Sequence, residues 1–171
     1  STGDWSSDVC SSDLARNFTY ADSYLKSGKW ERDLFMGSEL YGKTLGIIGL
    51  GRIGALVATR MKAFGMNIIA YDPYIADERF KRYGVDKRET LDELVQEADI
   101  ITIHTPRTKE TIGIIGDREI ELMKDGVRLV NAARGKLMDE DALYRGLKSG
   151  KIKSVGLDVH AVEPRYESPL Y

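Results

Sequence analysis

The hexapeptide Gly49-Leu50-Gly51-Arg52-Ile53-Gly54 joins a short apolar run, Thr44-Leu45-Gly46-Ile47-Ile48, to a segment of helical periodicity. Few folds accommodate a strand that ends on glycine and turns straight into a helix. Gly49 lets the chain leave the strand tightly. Gly51 keeps side-chain atoms away from an approaching ligand, and Gly54 lets the helix lie close on the strand. The helix N-terminus then offers unpaired N–H groups and a partial positive charge, which suit a pyrophosphate. The bland reading is a tight strand–helix turn without a ligand. The strand before and the helix after favour dinucleotide binding.

The rest of the chain repeats the alternation. The segment from Arg52 to Phe64 reads as a helix with Ile53, Leu56, Val57, Met61 and Phe64 on one face and Gly65 as its stop. A second buried strand follows at 67–71. Thr90 opens a helix through a capping box to Glu93, with Leu91, Leu94, Val95 and Ala98 as its stripe. Strands are expected at 99–104, 127–131 and 153–159, and helices at 117–124 and 139–149. Strands that are apolar throughout, alternating with helices, predict an α/β protein: a Rossmann doubly wound parallel sheet covered on both faces. The 171 residues suit one domain. Residues 43–171 would form it, and 15–42 a connector helix (Ala15 to Lys29) and linker.

Residues 1–14 are rich in serine and aspartate and have no basic residue. They resemble a translated sequencing adapter and are expected to be non-native. The formal charge of −2 gives no reason to expect nucleic acid or an anionic membrane as partner. No apolar run is long enough to span a bilayer. Cys10 is the one cysteine, so no intrachain disulfide can form, which fits a cytoplasmic protein.

Three further places carry chemistry. Asp72 ends the second strand, where a carboxylate can accept hydrogen bonds from both ribose hydroxyls of adenosine and repel a 2′-phosphate; NAD is expected over NADP. As a bland alternative, Asp72-Pro73 is a common turn pair. Arg134 follows the strand at 127–131, at the sheet edge where ligands of open α/β sheets bind, and offers a planar fork for a carboxylate. A surface turn arginine is an equally good reading from position alone. Asp158 and Glu163 lie beyond the last strand at the same edge, and alone would pass as loop acids.

Taken together, Gly42 to Gly54, Tyr71-Asp72-Pro73, His104-Thr105-Pro106, Asn131-Ala132-Ala133-Arg134-Gly135 and Leu157-Asp158-Val159 resemble the D-isomer-specific 2-hydroxyacid dehydrogenases in order and spacing. The resemblance runs from about Ala15 to the end. It implies reversible hydride transfer between NAD and a small 2-hydroxy or 2-keto acid. Arg52 and Ile53 would join Gly49, Gly51 and Gly54 at the pyrophosphate. Asp72 would hold the ribose, Thr105 and the Ala132 backbone would line the cofactor cleft, and Asp158 would bind the carboxamide. Arg134 would clamp the substrate carboxylate, and Glu163 would pair with a catalytic histidine and raise its pKa. No metal site is expected.

The family histidine lies in a Pro-His segment that the resemblance places after Tyr171. Of the two histidines present, His104 belongs to the cleft turn and His160 stands where the family has an aromatic residue, so packing is its expected role. The substrate domain is expected to be missing, leaving the cofactor domain alone, able to bind NAD without turnover. The connector helix resembles one that helps form a homodimer and would expose an apolar face. Two rivals remain: a reductase of the same family acting on glyoxylate or hydroxypyruvate, and a corepressor-like protein using NAD binding as a switch.

Overall fold

Each expected apolar run forms a strand, and one more strand joins them. In the computed structural model, which describes residue 11 and residues 13–171, β1 (Thr44–Ile48), β2 (Asn67–Tyr71), β3 (Asp86–Lys87), β4 (Ile100–Ile103), β5 (Val127–Asn131) and β6 (Ile152–Leu157) build a single sheet. Every strand pair is parallel and the order is β3-β2-β1-β4-β5-β6. β1 is thus flanked by β2 on one side and β4 on the other. The winding direction reverses there, which opens a crevice at the carboxyl ends of the strands. Most of the expected non-native segment lies outside the described residues.

The helices are α1 (Phe18–Lys26), α2 (Arg52–Ala63), α3 (Asp77–Tyr83), α4 (Leu91–Glu97), α5 (Asp117–Leu122) and α6 (Glu140–Ser149), of which α2 to α6 cover the two faces of the sheet. On one face Leu45, Ile47 and Ile68 pack with Val57 and Met61 of α2 and Phe80 of α3. On the other, Ile48, Ile69, Ile101 and Leu129 pack with Leu94 of α4 and Leu143 of α6. Burial from both sides explains why the strands carry no polar alternation. The Thr90 capping box forms as expected: Thr90 Oγ1 accepts from Glu93 N–H at 3.2 Å, and Glu93 Oε2 accepts from Thr90 N–H at 3.4 Å.

Three expectations are corrected. First, α2 buries Gly54, Ala55, Val57, Ala58 and Met61, while Ile53, Leu56 and Phe64 stay exposed. Gly54, Ala55 and Ala58 let the helix lie close to the sheet, and Val57 and Met61 pack beside them on the same inner face. Second, the connector helix begins at Phe18, because Asn17 takes a left-handed φ of 55° and separates it from the helical residues 13–16. None of its residues is buried, and Phe18 and Leu25 are exposed. Third, α3 and β3 occupy a stretch that the sequence pattern left unassigned.

Asp99, just before β4, ties the amino ends of two strands together. Its Oδ2 accepts from Thr44 N–H at 2.8 Å and its Oδ1 from Lys124 Nζ at 3.1 Å. Burial acts to raise this carboxyl, but the Thr44 N–H and the Lys124 ammonium outweigh it and hold it below its usual pKa. A carboxyl depressed by folding stabilises the fold above its unfolded pKa, and that contribution is lost as pH falls through the folded value. Asp99→Asn is therefore expected to lower the neutral Tm and flatten the acid side of a Tm–pH curve. An acid limb as steep as in the parent chain would contradict this.

Candidate functional site

Strand register assembles the site. Ile48 of β1 pairs with Tyr71 of β2 and Ile103 of β4, Ile103 pairs with Asn131 of β5, and Asn131 pairs with Leu157 of β6. The residues that follow these ends (Gly49, Asp72, His104, Ala132 and Asp158) therefore leave the sheet at one level along its carboxyl edge. The backbone extends the alignment: His104 N–H donates to Ile48 O at 2.8 Å and Asp158 N–H to Asn131 O at 3.0 Å.

The glycine loop fits its expected geometry. Gly49 has φ 95°, and a Cβ there would lie 2.9 Å from the His104 backbone. A Cβ on Gly54 would overlap the Gly49 carbonyl oxygen and sit 3.2 Å from Ile47 Cγ2, so α2 can approach β1 only with glycine here. A Cβ on Gly51 would meet nothing within 4 Å. That glycine faces open space above the N-terminus of α2, where no side chain caps the helix. Arg52 and Ile53 sit exposed in its first turn.

Asp72 is held at the same mouth. Its Oδ2 accepts from Leu50 N–H at 2.9 Å and its Oδ1 from Tyr74 N–H at 3.1 Å. Arg79 of α3, a residue that the sequence pattern did not single out, donates from Nε to Leu50 O at 2.7 Å. Both polar groups of Leu50 are thus fixed by side chains from beyond β2. The charge-dense segment Asp77 to Tyr83 gives no sign of this in sequence.

Beside the loop runs a cleft of about 520 Å³ lined by Ile53, His104, Thr105, Ala132 and Arg134 among others. Thr105 Oγ1 is buried there without a hydrogen-bond partner among the described residues. A buried hydroxyl without a partner is costly in a finished protein and suits a polar ligand group. His104 lines the same cleft, with its Nε2 3.0 Å from Thr102 Oγ1. Buried Asn131 shapes the next loop. Its amide nitrogen donates to Arg134 O at 2.9 Å and its Oδ1 accepts from Ala133 N–H at 3.1 Å. The Arg134 side chain is exposed, with Nη1 donating to Ala133 O at 2.6 Å.

Asp158 and Glu163 do not line this cleft. Both are exposed on the segment that follows β6. Gly135 brings that segment against the Arg134 loop: a Cβ on Gly135 would overlap the His160 carbonyl oxygen and lie 2.6 Å from its carbon. Glu163 Oε1 accepts from His160 N–H at 2.8 Å. His160 is largely packed, its ring edge-on to Tyr171 at 5.8 Å and its Nδ1 3.6 Å from Glu140 Oε1. The sequence reading gave no role to Asn131, Gly135 or Glu140. Each acts on a neighbour reached only through the fold.

The sheet order and the loops at its carboxyl edge define a dinucleotide-binding α/β domain. A family model described as D-isomer specific 2-hydroxyacid dehydrogenase, NAD binding domain, matches residues 11–171, and the chain belongs to that family. Its cofactor is accordingly NAD. Among curated relatives, D-3-phosphoglycerate dehydrogenase of Archaeoglobus fulgidus is 55% identical over 88% of this chain and 28% of its own length. The enzyme of the same name from Methanocaldococcus jannaschii is 54% identical over 91% of this chain and 30% of its own. The chain thus spans under a third of these relatives. Among solved structures, a glyoxylate reductase from Paecilomyes thermophila superposes with a TM-score of 0.84 at 41% identity, over 92% of this chain and 48% of that one. D-lactate dehydrogenase from Aquifex aeolicus, in complex with NAD and lactic acid, gives 0.80 at 42%, over 86% and 44%.

Proposed function

We propose that this chain is the cofactor domain of a cytoplasmic, homodimeric NAD-dependent D-2-hydroxyacid dehydrogenase whose substrate is 3-phosphoglycerate. The observation that carries the reading is the register: five strand ends at one level place the glycine loop, Asp72, the Thr105 cleft and the Arg134 loop along a single edge. The substrate rests on the curated relatives and their shared name.

In this reading the first-turn amides of α2, with Gly49, Gly51, Gly54, Arg52 and Ile53 around them, bind the pyrophosphate. Asp72 holds the adenosine ribose. Thr105 donates its free hydroxyl in the cleft beside the Ala132 backbone, and Asp158 accepts from the carboxamide. Bound NAD supplies the hydride chemistry at C2 of the substrate. Arg134 binds the substrate carboxylate and draws electron density from the adjacent carbonyl. Glu163 pairs with the acid–base histidine of the complete dehydrogenase and favours its protonated form.

The decisive assay uses the complete dehydrogenase carrying this domain. Rates of NAD reduction with 3-phosphoglycerate, glycolate, glycerate and D-lactate are compared at equal concentration. 3-Phosphoglycerate should be oxidised fastest; faster turnover of glycolate or glycerate would support the glyoxylate or hydroxypyruvate reductase reading instead. This chain alone should bind NAD without turnover.

Asp72 gives a separate test on this chain. Asp72→Ser removes the carboxylate that would repel a 2′-phosphate, and with it two acceptors for backbone N–H groups. The ratio of NAD to NADP affinity should fall at least about tenfold, which corresponds to roughly 1.4 kcal/mol. Fluorescence titration with both cofactors measures it. An unchanged ratio would remove Asp72 from the ribose site.

A further inference from the structure

Glu140 lies in the first turn of α6, away from the glycine loop, yet its carboxylate grips the segment that carries Glu163. Its Oε1 accepts from Ala161 N–H at 2.8 Å and its Oε2 from Arg165 Nη1 at 2.5 Å. The His160 ring nitrogen lies 3.6 Å from the same Oε1. The contacts fall on both sides of Glu163, so one side chain fixes the two ends of the short arch on which Glu163 stands. The carboxylate is only 12% exposed. A carboxylate sheltered to that degree, accepting one backbone N–H and one guanidinium, makes stronger and better defined bonds than a surface pair.

Geometry makes this anchor matter for the site. Gly135 lets the 158–163 segment approach the Arg134 loop from one side, and Glu140 holds it from the other. Glu163 is itself exposed, and its one hydrogen bond among the described residues, from His160 N–H, lies within the arch. Without an outside anchor the arch could rotate as a unit, and Glu163 would leave the position set for it. We propose that Glu140 is a positioning residue: it holds Glu163 in register with the Arg134 loop and acts on catalysis only through Glu163. This rests on the dehydrogenase reading of Glu163 given above.

The test is a double-mutant cycle in the complete dehydrogenase, with E140A, E140Q, E163Q and E140A/E163Q. Displacement of a reacting group by about an ångström costs up to about a hundredfold in rate, so E140A should lower kcat ten- to a hundredfold while KM for NAD changes less than twofold. E140Q keeps an acceptor for Ala161 N–H and the side-chain volume, and should recover part of the loss. The double variant should be no slower than E163Q, because a residue acting through Glu163 has nothing left to act on. On this chain alone, E140A should speed amide hydrogen exchange at Ala161 without changing exchange in β1. If E163Q is slow while E140A matches the parent in kcat, or if the two losses multiply, the positioning role is overturned and the Glu163 reading survives. If E163Q itself is as fast as the parent, the Glu163 reading fails and takes this one with it. Should E140A unfold the domain, E140Q and its combination with E163Q carry the same comparison.

Discussion

Gly54→Ala is expected to destabilise the domain by at least about 2 kcal/mol and to abolish measurable NAD binding. The added methyl has no room: its nearest neighbours are the carbonyl oxygen and, at 3.2 Å, the carbonyl carbon of Gly49. Overpacking costs about 1–3 kcal/mol where flexible side chains can yield, and more where the obstacle is backbone. Alanine recovers up to about 1 kcal/mol of helix propensity, too little to offset it. Relief requires α2 to move off β1, which would open contacts of Val57 and Met61 with the sheet and carry the first-turn amides away from the pyrophosphate position. Gly51→Ala is the informative contrast. Its Cβ meets nothing within 4 Å and the φ of −68° suits alanine, so melting should be unchanged. NAD affinity should still drop, because the methyl enters the space left for the ligand. Chemical denaturation and calorimetric titration of both variants test the pair. Equal losses of stability would refute the division of labour between the two glycines.

That division was legible in the hexapeptide because a strand end, a turn and a helix start are local events. Much of the rest was legible for the same reason. The strands β1, β4 and β5 follow from apolar runs that must be buried on both faces, and Gly150 closes α6 with φ 80° as a C-terminal glycine should. What sequence pattern missed has a common cause. The stretch containing α3 and β3 is dense in charge and buries only Phe80 from its helix, so no stripe marks it. In α2, Ile53 and Leu56 stay exposed while Gly54, Ala55 and Ala58 join Val57 and Met61 on the inner face, because close approach to the sheet favours small residues at those three positions. The site behaves alike. Asp72 and Arg134 could be picked from their place after a strand. Arg79, which fixes Leu50 from 29 residues away, and Glu140, which holds Ala161 from 21 away, act across distances that no spacing rule covers.

Arg134→Met in the complete dehydrogenase should leave the fold and NAD affinity intact while kcat/KM for the 2-hydroxy acid falls by about two to three orders of magnitude, the effect of removing one preorganised donor from a developing charge. The separation is expected because Arg134 contributes nothing to the core. Its side chain is exposed, and its one hydrogen bond among the described residues is to the neighbouring Ala133 carbonyl. The loop beneath it is shaped by Asn131, which holds the Arg134 carbonyl and the Ala133 N–H whatever side chain stands at 134. The substitution therefore removes a guanidinium from a loop that keeps its form. Arg134→Lys should recover little: an ammonium keeps the charge but lacks the planar fork that binds a carboxylate through two parallel bonds. Steady-state kinetics with 3-phosphoglycerate, paired with NAD titration of the same variants, reads both quantities. A lysine variant with near-parental kcat/KM would show that charge alone suffices there. A methionine variant with near-parental kcat/KM would move the substrate carboxylate to another group and leave Arg134 as the surface turn residue that its position alone equally allowed.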